Sequence, residues 1–327
     1  MNPFHYQRAT DTAGAIQSMS PGSKFLAGGT NLVDLMKNGV ETPAGLIDIN
    51  RVGLAAIEPL PGGGLRLGAL ARNSDTANHP AVRQQYPLLS QAILSGASPQ
   101  LRNLATNGGN LLQRTRCPYF MDTGFPQCNK RAPGTGCGAI DGFHRTHAIF
   151  GASDQCIAVH PSDMCVALAA LEATIRVQGR GGERNIPIAD FHRLPVNTPE
   201  IDTNLQPDEL ILSIDLPASL YASHSRYLKV RDRASYDFAL VSVAAALALN
   251  GTIIRIARIV LGGVAHKPWR ATAAEQSLVG KPLGHAAFQV AGWAAVAGAK
   301  PYRENAFKVE LVRRAVVRAL AEAGGLA

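Results

Sequence analysis

Apolar and polar positions along the chain divide it into three textures. Lys24 to Ala27 reads as a short strand, Gly28-Gly29-Thr30 as a turn, Asn31 to Lys37 as a helix and Gly45 to Ile49 as a second strand, a small α/β unit. A Pro/Gly break at residues 59–64 precedes the alternating strand Leu65 to Leu70, so a first boundary is expected near residue 55. In the second texture Pro87 to Ile93 is a helix with proline in its first turn. Ser98 to Asn103 is a linker and Gly108-Gly109 a turn. Met164 to Glu172 then reads as helix, and Ala173 to Gln178 and Glu209 to Pro217 as strands. Beyond residue 222 two long strands, Tyr236 to Leu249 and Ile253 to Leu261, flank an Asn250-Gly251 hairpin signal and are followed by helices. The expected organisation is residues 1–55, 56–221 and a separate C-terminal α+β domain over 222–327.

Residues 113–157 fit none of these patterns. Prolines at 118, 126 and 133 and six glycines exclude a long helix or regular sheet, and so long a loop needs another restraint. The longest apolar runs, Phe238 to Leu249 and Cys165 to Ile175, fall short of the ~20 residues of a membrane span.

A formal charge of +8 raises the possibility of nucleic acid. The basic residues are scattered, however, and no recognition-helix or finger signature occurs, so no nucleic-acid partner is expected. The charge suits bound phosphates and an acidic partner subunit. The N-terminal residues lack the pattern of a secretory signal, so the chain is expected in the cytoplasm or exported with a partner.

Two glycine pairs carry candidate chemistry. Ala27-Gly-Gly-Thr-Asn31 ends a strand and begins a helix, where backbone N–H groups can face phosphate oxygens and Thr30 and Asn31 add donors. Thr106-Asn-Gly-Gly-Asn110 could supply a second cradle from the other lobe. Neither has Rossmann or P-loop spacing, which leaves a flavin dinucleotide in a two-lobed cleft.

Leu26-Ala-Gly-Gly-Thr-Asn-Leu32, Ala105-Thr-Asn-Gly-Gly-Asn-Leu111, His160-Pro-Ser-Asp163 and Gly262-Gly-Val-Ala265 with Pro268-Trp-Arg270 together resemble the FAD-binding subunit of the xanthine dehydrogenase and molybdenum hydroxylase family. The resemblance spans nearly the whole chain. It implies an α+β fold: a two-lobed FAD domain like that of vanillyl-alcohol oxidase, then a C-terminal domain like that of the CO dehydrogenase flavoprotein. It assigns FAD contacts to Leu26, Ala27, Gly28, Gly29, Thr30, Asn31, Leu32, Val33 and Asp34, and to Thr106, Asn107, Gly108, Gly109 and Asn110. It also puts Asp163 at an acidic position, Ile211 at an apolar flavin contact and Lys229 near the isoalloxazine. Read without the resemblance, Asp163 is a helix N-cap and Lys229 a solvent-facing strand lysine.

About forty-five residues separate the second glycine turn from the segment Ala158-Val-His-Pro-Ser-Asp163, where the family has almost none. They contain Cys117, Cys128, Cys137 and Cys156, with ten, eight and eighteen residues between successive cysteines. Four thiolates in such a loop meet the needs of a 4Fe-4S cluster, which some branches of the family carry. Zinc is a rival, although no Cys-x2-Cys pair occurs, and disulfides are another, with Cys128 and Cys137 the pair expected. Cys165, on an apolar helix, competes with Cys156 as fourth ligand. His144, His147 and His160 read as loop or surface residues.

The resemblance implies an electron-transfer subunit. A molybdopterin-containing large subunit would oxidise substrate, a small subunit with 2Fe-2S clusters would relay electrons, and FAD here would pass them to an external acceptor. The periplasmic aldehyde oxidoreductase branch is the nearest in texture, with export alongside a signal-bearing partner. The alternative is a non-redox nucleotide-binding scaffold with structural zinc or disulfides. Tyr236 and Asp237 are further candidates for the flavin face.

Overall fold

The computed structural model describes residues 1–326. Three sheets follow in chain order. Strands β1 (His5–Arg8), β2 (Ser23–Leu26) and β3 (Gly45–Asp48) form a parallel sheet in the order β1-β3-β2. The strands are joined through short helices at Thr12–Gln17 and Leu32–Lys37, as parallel pairing requires a crossover. Strands β4 (Ile57–Pro59), β5 (Leu65–Gly68), β6 (Thr174–Gly179), β7 (Gly182–Pro187) and β8 (Leu210–Leu216) make an antiparallel sheet ordered β4-β5-β8-β6-β7. The last sheet, β12-β11-β10-β9, is built from β9 (Ser225–Val230), β10 (Val241–Asn250), β11 (Ile253–Gly262) and β12 (Trp269–Arg270). Helices His285–Ala295 and Phe307–Ala323 cover one of its faces.

The C-terminal sheet is apolar on both faces, which explains why β10 reads as a continuous apolar run. Val243, Ala245 and Leu247 pack on the C-terminal helices. Ala244 and Ala246, with Tyr227 and Val260, belong to the core of the preceding lobe, against helices Pro87–Ser95 and Asp163–Ala170. Small alanines on that face let the helices approach closely. The C-terminal unit therefore packs on the second lobe through a shared core.

Several expectations change. Ser98 to Asn103 is not a linker: Ser98 accepts from Leu101 N–H at 3.2 Å and caps the short helix Pro99–Arg102. Residues 236–240 are not strand, because Tyr236 has φ +50 and Phe238 is exposed, and pairing begins only at Val241. The Gly108-Gly109 turn lies inside the short helix Asn107–Leu111. Residues 113–157 hold only two single-turn helices, Pro118–Met121 and Gly138–Asp141. No helix among the described residues is long and apolar enough to cross a membrane.

Candidate functional site

The first glycine turn leaves β2 and enters helix Leu32–Lys37. Gly29 has φ +70, and a Cβ on Gly28 would stand 2.0 Å from the Leu104 carbonyl oxygen, so the backbones of the two lobes touch here. Carbonyls of this turn are used: Val33 N–H donates to Gly29 at 2.9 Å and Leu35 N–H to Asn31 at 3.0 Å. Its N–H groups are not. Those of Gly28, Gly29, Thr30, Asn31 and Leu32 find no acceptor among the described residues. Asn31 Oδ1 accepts from Arg114 N–H at 3.2 Å, while its buried Nδ2 has no partner. Unpaired, half-buried donors at such density, facing a cleft, fit an anionic ligand.

The second turn has the same composition and the opposite state. Asn107 N–H donates to Ala71 at 3.0 Å, Gly108 N–H to Ala69 at 2.8 Å and Asn110 N–H to Thr106 at 2.8 Å. The Thr106 hydroxyl accepts from Gly109 N–H at 3.2 Å and caps helix Asn107–Leu111. The side chains are equally committed. Asn107 donates to the Gly68 carbonyl at 3.2 Å and lies fully buried. Asn110 donates to Asn73 Oδ1 at 2.7 Å and accepts from the Ser162 hydroxyl at 2.5 Å. From Asn107 to Asn110, therefore, the expected second phosphate cradle has no backbone donor left to offer. Its glycines serve close packing, because a Cβ on Gly108 would sit 3.3 Å from both Ala69 Cβ and its carbonyl oxygen.

Two cavities open on either side of the first turn, and Gly28 to Asn31 with Gly109 border both. One, of about 540 Å³, is lined by Leu26, Ala27, Leu32, Thr106, Gly108, Leu111 and Ile211. The other, of about 650 Å³, is lined by Val33, Asp34, Asn110, Asp163, Lys229 and residues 236–238. Ile211 and Lys229 thus line different cavities, and Asn107 lines neither. Both cavities fall within the range of ~300–1,000 Å³ usual for ligand sites.

Lys229 does not face solvent. Its ammonium lies 2.8 Å from Asp163 Oδ2, both side chains being less than a tenth exposed, and Tyr227 OH donates to Asp163 Oδ1 at 2.7 Å. Burial, together with the Asp163 carboxylate, raises the Tyr227 pKa well above its usual value and keeps it protonated. Asp163 is the first residue of its helix, and Ser162 is the cap, accepting from Cys165 N–H at 3.1 Å. Asp34 is paired with Arg116 at 2.5 Å. Arg114, which sequence reasoning missed, holds both Glu41 and Asp202, at 2.5 and 2.8 Å. Only its position, immediately after the second turn and close to the first cysteine, could have marked it.

Cys117, Cys128, Cys137 and Cys156 line one small pocket, together with Lys130 and His147 and without any carboxylate. A backbone bridge pairs Cys128 with Cys137, and another closes the tight turn from Ser153 to Cys156. All four thiols are free, and no disulfide joins Cys128 to Cys137. Burial pushes the Cys117 thiol up to about 12. Cys137 and Cys156 act on each other in opposite directions: donation from Cys156 lowers the Cys137 thiol and, with burial, raises that of Cys156. Lys130, itself buried, pairs with Asp202 and supplies a positive charge beside Cys156. The loop is restrained from outside by Lys308, whose buried ammonium donates to the carbonyls of Thr146, His147 and Gly263 at 2.8–3.0 Å.

Cys165 is elsewhere, fully buried with Sγ 4.0 Å from the Asn110 carbonyl and pushed up to about 12 by burial. His144, His147 and His160 lie in loops, as expected, but none is exposed. His144 and His147 are buried, and His147 Nε2 lies 3.1 Å from Cys117 Sγ. Burial, with a smaller contribution from the Lys308 charge, lowers His147 to about 4, so the ring is neutral. His160 packs on His192 with ring centroids 4.2 Å apart.

Residues 2–219 match the family described as FAD binding domain in molybdopterin dehydrogenase, and residues 226–323 match the CO dehydrogenase flavoprotein C-terminal domain. The chain is 52% identical over 326 residues, 99% of both chains, to the aldehyde oxidoreductase FAD-binding subunit PaoB of Escherichia coli. It is 30% identical to the glyceraldehyde dehydrogenase medium chain of Sulfolobus acidocaldarius, over 86% of this chain and 82% of that one. Among solved structures, carbon monoxide dehydrogenase of Hydrogenophaga pseudoflava superposes with a TM-score of 0.78 at 26% identity, covering 100% of this chain and 99% of that one.

Proposed function

Because this chain belongs to the FAD-binding subunits of the molybdenum hydroxylase family, we propose that the FAD pyrophosphate is held by the free N–H groups of Gly28 to Leu32, with one ring system in each flanking cavity. The run of five adjacent unpaired donors between two cavities is the observation that carries this reading. Asn31 Nδ2 and the Thr30 hydroxyl add side-chain donors to the same anion. Ile211 covers the contents of the first cavity with apolar surface, and the Asp163–Lys229 pair fixes charge at the wall of the second. The saturated second turn acts as a rigid wall that sets the width of the cleft. When bound, FAD supplies a redox group that exchanges electrons singly or in pairs.

The same proposal gives Cys117, Cys128, Cys137 and Cys156 to a 4Fe-4S cluster. A common pocket, the lack of carboxylate ligands and a buried lysine beside four thiolates support it. Cys165 faces the Asn110 carbonyl and is left out. The subunit would then carry electrons from a 2Fe-2S small subunit to an external acceptor, while a molybdopterin-containing large subunit oxidises an aldehyde. The aldehyde class rests on the relative at 52% identity. Residence in the periplasm, reached with a signal-bearing partner, completes the proposal.

An anaerobic absorption spectrum with flavin and iron analysis of the protein co-expressed with its neighbouring subunits tests both cofactors. Flavin bands over a broad iron-sulfur background are expected, and a colourless, iron-free protein would sink the reading. Cys156→Ser should lose iron and Cys165→Ser should keep it; the reverse would overturn the ligand assignment.

A further inference from the structure

The four-cysteine pocket is not isolated from the cleft. A cavity of about 160 Å³, bordered by Arg116, Cys117, His147, Asp163, Asp237 and Phe238, lies between them. Cys117 and His147 also line the cysteine pocket, while Arg116, Asp163, Asp237 and Phe238 also line the second cleft cavity. Cys117 is thus the cysteine on the cleft side. Among the described residues it is also the only one of the four whose sulfur meets a side-chain nitrogen, His147 Nε2 at 3.1 Å. The other ring nitrogen, Nδ1, is buried and unpartnered. A ring whose one hydrogen-bonding contact is a cluster thiolate must put its proton on Nε2 and donate it, because a thiolate only accepts.

We propose that His147 acts through Cys117, donating an N–H···S hydrogen bond that raises the reduction potential of the 4Fe-4S cluster on the side facing the FAD cleft. The inference rests on the cluster assignment above. Reduction adds one electron to the cluster and spreads negative charge onto the thiolate sulfurs. A fixed N–H dipole stabilises that extra charge more in the reduced than in the oxidised state, and no proton moves. The backbone that carries the ring is held in place: Lys308 donates to the His147 carbonyl at 3.0 Å, and His147 N–H donates to the His144 carbonyl at 3.1 Å.

An EPR-monitored redox titration of the assembled protein, at temperatures where only the fast-relaxing 4Fe-4S signal is seen, reads the effect. His147→Leu should keep its iron and shift the one-electron equilibrium about tenfold toward the oxidised form, about 59 mV lower. His147→Gln, which returns an N–H near the Nε2 position, should recover most of the shift. Equal potentials in wild type and His147→Leu, or equal shifts in both variants, would overturn the proposal. A wild-type protein with flavin but no 4Fe-4S signal would remove the cluster assignment itself, and this inference with it. If His147→Leu loses iron, pulsed EPR of the reduced wild type decides. With ¹⁵N-labelled histidine a weakly coupled nitrogen is expected, and its absence would contradict the bond.

Discussion

The two glycine turns of this chain are nearly identical as strings and opposite as chemistry. Both pair Gly-Gly with Thr and Asn, and both stand at the entry to a short helix. In the first, five consecutive N–H groups lack an acceptor among the described residues. In the second, every N–H from Asn107 to Asn110 is bonded to Ala71, Ala69 or Thr106. What separates them is the surrounding chain. The second turn lies against the segment just after β5, where the Ala69 and Ala71 carbonyls take two of its backbone donors, whereas the first faces the gap between lobes. A glycine pair marks where backbone can come close; only the neighbours decide whether what comes close is a ligand or another strand.

Substitutions at matched positions should break the symmetry. Gly28→Ala, whose Cβ would meet the Leu104 backbone oxygen at 2.0 Å, should push the lobes apart and weaken FAD binding about 100-fold, about 2.8 kcal/mol, in a flavin-quenching titration. In Gly109→Ala the new Cβ meets only Thr106 Oγ1, at 3.1 Å, and the FAD affinity should stay within about threefold. The asparagines should divide by property instead. Asn110→Ala leaves Asn73 and Ser162 without their partner and should lower stability by about 2 kcal/mol in denaturant unfolding, with little change in flavin affinity. Asn31→Ala should weigh the other way, costing about tenfold in affinity, about 1.4 kcal/mol, with a smaller loss of stability because only the Arg114 N–H loses its acceptor.

A smaller effect concerns pH. His192 supports the end of the second turn by donating from Nε2 to the Leu111 carbonyl at 2.8 Å, and burial lowers its pKa from 6.5 to about 4. His266 is lowered to about 3 for the same reason. These rings are neutral when folded and protonate more readily when unfolded. Their stabilising contribution is complete above pH 6.5 and is lost as pH falls through about 4. Melting temperature of the apoprotein should decline over that window, and His192→Gln should flatten the slope; an unchanged slope would contradict the assignment.

Much of the scaffold was legible because long strands and buried helices carry periodic apolar residues: helix Pro87–Ser95, helix Asp163–Ala170, β8 and the β10–β11 hairpin lie within a few residues of where the pattern puts them. β7 was not, since Gly182 to Pro187 is exposed except at Ile186 and offers no alternation to read. Helices Asn73–Asn78 and Pro80–Gln85 were missed for the related reason that they are short and mostly polar. Of the site, the first turn and the convergence of four cysteines could be read from residue type and order. The burial of Lys229 could not, because it depends on Asp163, 66 residues away in sequence. Nor could His147, whose meeting with Cys117 is set by a loop fold that spacing does not encode, or the saturation of the second turn, which requires counting acceptors in space.

Backbone amide exchange, compared between flavin-free and flavin-loaded protein, reads the difference between the turns most directly. The N–H groups of Gly28 to Leu32 should exchange fast without FAD and become protected with it, while those of Asn107 to Asn110 should be protected in both states. Protection that appears at Asn107 to Asn110 only when FAD binds, with Gly28 to Leu32 unaffected, would contradict the assignment of the pyrophosphate to the first turn.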